Sequence, residues 1–490
     1  HLASGDNLGE ITSVVTGESV NASGHDVQIW PDSGALGVTS GRTQFIRSRN
    51  DWGEWFGNDN SRPMYHFPID DRYLNRNPAN SYPGNDQQLF DPPVAPPIFA
   101  LTSASERFND LFAANRFTSA CSSIVARAPD FASDIEGDDD IALICEPVHN
   151  LVHRAVLRPD GASYRADRCE QEAQSEFLRS SDPWFRPVRA LIGPDGCLYL
   201  VDMYRETIEH PEWIPESWQA QLDLYAGSDR GRIYRVRRRG QQSEPLDLAS
   251  LSSTELVEQL SSPIGPRRDL VQQLILERRD ADVPPQLNHM AGQDFSAATR
   301  AQVISILDVL DSLSDEVLLK ALASRDPGLL LLAIRLCEER LPSSPSLVES
   351  LKQAASHSDK RVVLRVALAL GESDSREAGE LLATIAMRPD LDRWMVRAIG
   401  SSARPHAELL AANLIDGMTT DDSSERIDLL TSILATLQPD GIDVVQRFGD
   451  LFQKNDSQVT TQLRLASSFT EALDGASSEQ LSEMFQPLYD

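Results

Sequence analysis

The hydrophobic pattern of this 490-residue chain changes period near residue 240, and that change limits the fold more than any other feature. Before it, apolar, aromatic and β-branched residues come in short runs: Leu151 to Leu157, Val188 to Ile192, Cys197 to Met203 and Arg232 to Val236. Turn tripeptides such as Pro159-Asp160-Gly161 and Pro194-Asp195-Gly196 punctuate them; proline presets φ and glycine supplies the positive φ that closes the turn. Short antiparallel strands with no helical pattern between them fit propeller blades better than a parallel α/β sheet. Beyond Gly240 the period is helical, as in Leu256, Val257 and Leu260, then Leu270, Leu274 and Ile275.

A weak repeat organises the second half. Asp326, Asp359 and Asp392 stand 33 residues apart, and each is followed at three and four positions by an apolar pair: Leu329 and Leu330, Val362 and Val363, Met395 and Val396. An aspartate in that position caps a helix, and helix pairs of this size stack into a solenoid. The expected fold class is therefore a partial all-β propeller over residues 1–240, followed by an all-α HEAT-type solenoid over 241–490. The solenoid is expected to start near Leu251, with Thr254 as cap, and to fade after about residue 410, leaving amphipathic stretches at 427–437, 444–452 and 479–488.

The formal charge of −29 argues against a nucleic-acid partner, which needs a basic face. The longest purely apolar run, Leu329 to Ile334, is far shorter than the ~20 residues that cross a bilayer, so no membrane span is expected. The five cysteines contain no Cys-x-x-Cys, which excludes covalent c-type haem within this chain. Four of them lie in the β-rich half, where disulfides and buried thiols both fit. Residues 76–99 hold six prolines and read as a long loop over the sheet or an insertion between blades.

The segments CEPVHNLVHR (145–154), WFRPVRALIGPDGCLYLVDMYRETIEHPEWIP (184–215) and DRGRIYRV (229–236) resemble the end of the propeller in the membrane-bound dehydrogenase family of Planctomycetes and relatives. SGHDVQIWPDSG (23–34), NDWGEWFGNDNS (50–61) and RFNDLFAANRFTSAC (107–121) extend the resemblance over roughly the first half. It implies an exported or periplasmic oxidoreductase similar to quinoprotein glucose and sorbosone dehydrogenases. Such an enzyme oxidises a sugar or alcohol with pyrroloquinoline quinone (PQQ) and calcium, then passes electrons to a c-type haem domain outside this chain. The early-blade histidine of those relatives has no counterpart here, so the chain is expected to be a fragment without robust dehydrogenase activity. The rival reading is a non-catalytic carbohydrate- or protein-binding propeller whose solenoid docks a protein partner.

Quinone chemistry needs a base, cations for the quinone carboxylates and metal ligands. Candidate bases are His66, His149 and His153; the last two stand four apart and would share one face of an extended segment. Candidate quinone cations are Arg47, Arg49, Arg154, Arg186 and Arg205, because guanidinium grips carboxylates bidentately. Trp52, Trp55, Asn58 and Asn60 could line a sugar site, and Asp51, Asp59 and Asp202 could bind metal. The competing structural readings are polar blade caps for the histidines and wedges between blades for the tryptophans. The acidic run 134–140 reads as a solvated turn, because it lacks the spacing of a calcium loop.

Overall fold

The structure is a computed structural model. It describes residues 9–437 apart from 46, 81, 83, 103–114, 138, 241–245 and 418–422. The amphipathic stretches expected at 444–452 and 479–488, and most of the 107–121 motif, lie outside the described residues. The chain forms two compact units, residues 1–68 with 86–313 and residues 69–85 with 314–490. The change from strand to helix near residue 240 and the division into compact units thus fall at different places.

The first unit opens with two hairpins, β1 (Glu10–Thr12) with β2 (Ser19–Asn21) and β3 (Asp26–Trp30) with β4 (Ala35–Thr39). A four-stranded antiparallel meander follows: β5 (Ser48–Arg49), β6 (Trp55–Gly57), β7 (Tyr65–Phe67) and, after helix α1 (Asp71–Leu74) of the other unit, β8 (Gln87–Gln88). Next comes a five-stranded sheet of β9 (Cys121–Val125), β10 (Asp140–Glu146), β11 (Leu151–Asp160), β12 (Ser163–Arg168) and β13 (Leu178–Arg179). A third meander joins β14 (Pro187–Ile192), β15 (Leu198–Asp202) and, after helix α2 (Glu216–Gln219), β16 (Arg232–Val236). Both turn tripeptides fold as expected, with Gly161 at φ 57° and Gly196 at φ 77°. Residues 47–60, which hold several of the candidate site residues, contain β5 and β6, with Phe56 fully buried.

Strand β10 shows why meanders stack face to face. Ile141, Leu143 and Cys145 point into a core shared with Ala190, Ile192, Leu198 and Leu200 of the third meander. Ala142 and Ile144, on the opposite face, join Phe56 and Met64 from the first. A strand buried on both faces loses the polar alternation of a half-exposed one, as DIALICE does. All five cysteines are buried and outside any disulfide; Cys121 and Cys145 are register partners on β9 and β10.

Helices α3 (Ser253–Gln259), α4 (Gly265–Arg278), α5 (Val283–Ala291) and α6 (Ala297–Val309) complete the first unit. The cap of α3 is Ser252, in a capping box with Glu255, rather than Thr254, which lies inside the helix. The second unit holds α7 (Asp315–Leu322), α8 (Pro327–Cys337), α9 (Pro345–Ala355), α10 (Lys360–Leu370), α11 (Arg376–Ala386), α12 (Arg393–Ser402), α13 (Ala407–Gly417) and α14 (Ser424–Leu434). Even-numbered helices α8 to α14 stack in one layer and odd-numbered α7 to α13 in the other, the two-layer arrangement of a HEAT-like solenoid. The three repeated aspartates cap α8, α10 and α12, accepting from the N–H groups of Leu329, Arg361 and Trp394. Replacing Asp392 by Ala is expected to cost the helical unit about 1 kcal/mol, read as a lowered urea midpoint by circular dichroism. Among the described residues, no helix is long and apolar enough to cross a membrane.

Candidate functional site

Each of the three histidines is buried and paired with a glutamate that is itself buried. The His66 ring on β7 lies between Phe56 and Tyr164, its Nε2 3.2 Å from Glu54 Oε2 and its Nδ1 2.8 Å from Ser163 Oγ. His149 ends a 3₁₀ turn over Pro147–His149 and meets Glu146 Oε1 at 3.1 Å. His153 on β11 places Nδ1 2.7 Å from Glu176 Oε2 and packs its ring edge-on to Phe117. Asn150, left-handed at φ 59°, turns the chain between the last two, so they do not share one extended face but serve different carboxylates.

The glutamates anchor loops. Glu146 accepts the backbone N–H of Thr118 and Ser119 as well as the His149 contact. Glu176 accepts the Phe99 N–H at 2.8 Å and Arg168 Nη1 at 3.0 Å. Burial opposes its ionisation, yet His153, Arg168 and the Phe99 N–H outweigh burial and hold its carboxyl below the usual glutamate range. Sequence reasoning missed Glu54, Glu146 and Glu176. Only Glu146 carried a local signal, three residues before His149.

The arginines chosen as quinone cations are engaged within the protein. Arg47 donates to the Ser40 carbonyl at 3.2 Å, lies 3.5 Å from buried Asp26, and stacks over Phe67. Trp55 flanks the same guanidinium. Arg154 grips Asp134 with two bonds of 2.8 and 2.7 Å and meets Glu172 Oε1 at 2.7 Å. The acidic run thus supplies an internal counterion instead of a purely solvated turn. Arg186 donates to the carbonyls of Pro147, Val148, Arg205 and Glu206. Arg205 donates to the Leu224 carbonyl at 3.2 Å, and Arg49 is half-exposed, 3.5 Å from Asp269.

Two of the metal candidates, Asp51 and Asp59, are spent likewise. Asp51 Oδ1 accepts Arg127 Nε at 2.7 Å and Arg268 Nη2 at 2.6 Å. Arg127 continues to Asp269 on α4, so this ladder ties the first meander, β9's trailing end and the first helices together. Burial raises the Asp51 carboxyl, but Arg127 and Arg268 overcome it and leave it below its ordinary value. Asp59 pairs with Arg62. Asp202 caps the N–H groups of Arg186 and Tyr204, both at 2.8 Å. Asn58 donates to the Ala120 carbonyl, while Asn60 takes part through its backbone. Trp52 is half-buried, its N–H on Asn50 Oδ1. Among the described residues, no three His, Cys, Asp or Glu side chains gather as a metal site.

PQQ needs guanidinium forks turned toward its carboxylates, and calcium needs carboxylates turned toward one point. Arg154 and Arg186 have their forks filled by internal acceptors, and Asp51 and Asp59 are already neutralised by arginine. These residues as folded do not fit either group.

A different constellation belongs to the second unit, where residues 69–85 lie as an arm on the C-terminal ends of the even-numbered helices. Arg72 Nη2 and Tyr73 Oη bond Glu338 at 2.6 and 2.7 Å, just past α8. Arg76 donates to the Leu368 carbonyl at 2.9 Å and to Glu372 at 2.8 Å at the end of α10, and to Ser402 at 2.8 Å on α12. Asn77 donates to the Gly400 carbonyl at 2.7 Å and to Thr436 Oγ1 at 2.8 Å; Tyr82 meets Ser432 at 3.0 Å. Helix C-terminal carbonyls lack intrahelical partners, so they suit arginine and asparagine donors. Gly371 and Gly400 leave room that a Cβ would fill, the first against Arg76 and Ser402, the second against Tyr82 and Ser432. The start of the proline-rich segment therefore belongs to the helical unit, a correction to its reading as a loop over the sheet.

No curated protein matches the chain. Among solved structures, an archaeal HEAT-like repeats protein from Thermococcus onnurineus NA1 is similar at 14% identity and a TM-score of 0.29, covering 45% of this chain and 97% of that one. The family likeness lies in the other half: residues 1–240 match the family described as "Domain of unknown function (DUF7133)".

Proposed function

We propose that this chain is a non-catalytic docking scaffold whose helical repeats hold short polypeptide segments, anchored by their side chains, along the C-terminal ends of their second helices. One observation carries the reading. The row of helix ends already holds such a segment, residues 69–85, through four successive helices and by side chains rather than by sheet pairing. A stacked array offers helix-end acceptors once per repeat along one continuous surface. The meanders then act as a rigid platform whose charged residues are occupied in keeping it together.

The oxidoreductase reading rests on the resemblance of the first half to quinoprotein dehydrogenases. It requires Arg154 and Arg186 to exchange their internal acceptors for a quinone, and Asp51 to leave two arginines for calcium. Titrating the protein with PQQ and calcium, followed by absorbance and dye reduction with sugars and alcohols, is expected to give no saturable binding and no turnover. Saturable binding with substrate-dependent dye reduction would overturn the scaffold reading.

A further inference from the structure

We propose that the outer edge of β16 accepts an acidic, extended segment of a partner protein as an added strand. β16 stands at the end of its sheet order, paired on one side with β15. Its Ile233 side chain is 67% exposed, and Leu191, on the same face two strands away, is 41% exposed. An exposed edge with apolar side chains is a template for another strand.

Charge decides which strand. Residues 230–239 contain six arginines, Arg230, Arg232, Arg235, Arg237, Arg238 and Arg239, in a chain with 45 basic residues among 490 and a formal charge of −29. That density is about sixfold above the chain average, so β16, which holds Arg232 and Arg235, and the residues flanking it form a basic stripe on an acidic protein. Two arginines are held in line with the strand: Arg232 lies over the Tyr204 ring, 3.7 Å from its centre, and Arg235 bonds Asp195 at 2.6 Å. Charges on an edge normally prevent pairing. Here they repel a second β16, which disfavours edge-to-edge pairing of two copies, and attract a strand alternating acidic and apolar residues. Arg235 shares a face with Ile233, so the acidic side chains would lie on that face and the apolar ones on the opposite face, beside Tyr234 and Val236.

The test uses the full chain and a fluorescein-labelled peptide of about eight residues alternating glutamate and valine. Saturable one-to-one binding by anisotropy is expected, weakening about tenfold or more between roughly 50 and 300 mM salt. Methylating the peptide's alternate backbone nitrogens removes the ladder donors without changing charge. In one of the two registers this is expected to weaken binding about tenfold or more, the loss of several hydrogen bonds. The double variant Arg237→Glu, Arg239→Glu is expected to weaken binding with an unchanged circular dichroism spectrum. Absence of binding at low salt would overturn the proposal. So would equal binding of both methylated peptides, or displacement by heparin with methylation without effect, since either leaves only a charged patch. Concentration-dependent self-association that blocks the peptide would overturn it as well.

Discussion

Replacing Asp51 by Ala is expected to destabilise the first unit by about 3–5 kcal/mol, because it leaves two buried arginines facing each other without their shared carboxylate. Arg127 and Arg268 both bond Asp51 Oδ1, and their side chains are nearly inaccessible. Asp269 compensates only Arg127. Asp51→Asn keeps an acceptor but not the charge and should lose less, a contrast that chemical unfolding followed by tryptophan fluorescence can read. The same carboxylate sets an acid limit. Its folded pKa lies below the ordinary aspartate value, so its contribution is complete above that value and is lost as pH falls through the folded one. The Asp51→Ala variant should therefore show a flatter decline in stability below about pH 4 than the parent.

A loss of similar size, about 3–5 kcal/mol, is expected for Glu176→Ala. That carboxylate satisfies His153 Nδ1, Arg168 Nη1 and the Phe99 N–H together; without it Arg168 Nη1 keeps the Ser175 carbonyl at 2.8 Å, while His153 Nδ1 and the Phe99 N–H lose their acceptor. Glu176→Gln retains an acceptor for Phe99 and should fall between the two. Phenylalanine rings around His153 would then face an imidazole without its carboxylate, so the His153 ring resonances should move in the variant. If Glu176→Ala unfolds at the parent's denaturant midpoint, the pair does not anchor the loop.

Strand and helix positions were legible wherever a period repeated. Asp326, Asp359 and Asp392 announced the helix pairs because capping is local: the acceptor and its N–H partners lie within three residues. The strands of the third meander were legible for the same reason, with turn residues marking their ends. The arm was not. Arg72, Arg76 and Asn77 show no period, and their partners lie about 260 to 360 residues further along, on helix ends that exist only once the repeats have stacked. The site residues failed on the same point. A histidine or arginine in a loop carries no mark of whether its partner is a ligand or a glutamate 23 residues away, as with His153 and Glu176. Residue type therefore suggested chemistry where pairing had already used the group.

On this proposal the row of helix ends is a surface built to hold a polypeptide arm by its side chains. It is tested most directly by calorimetric titration of a synthetic peptide spanning residues 69–85 into two proteins: the parent, and the double variant Arg76→Ala, Asn77→Ala, whose own arm has lost its hold on α10 and α12. The account predicts saturable one-to-one binding to the folded variant and little or none to the parent, whose arm occupies the surface. A folded variant that takes up no peptide, or equal uptake by both proteins, would contradict it.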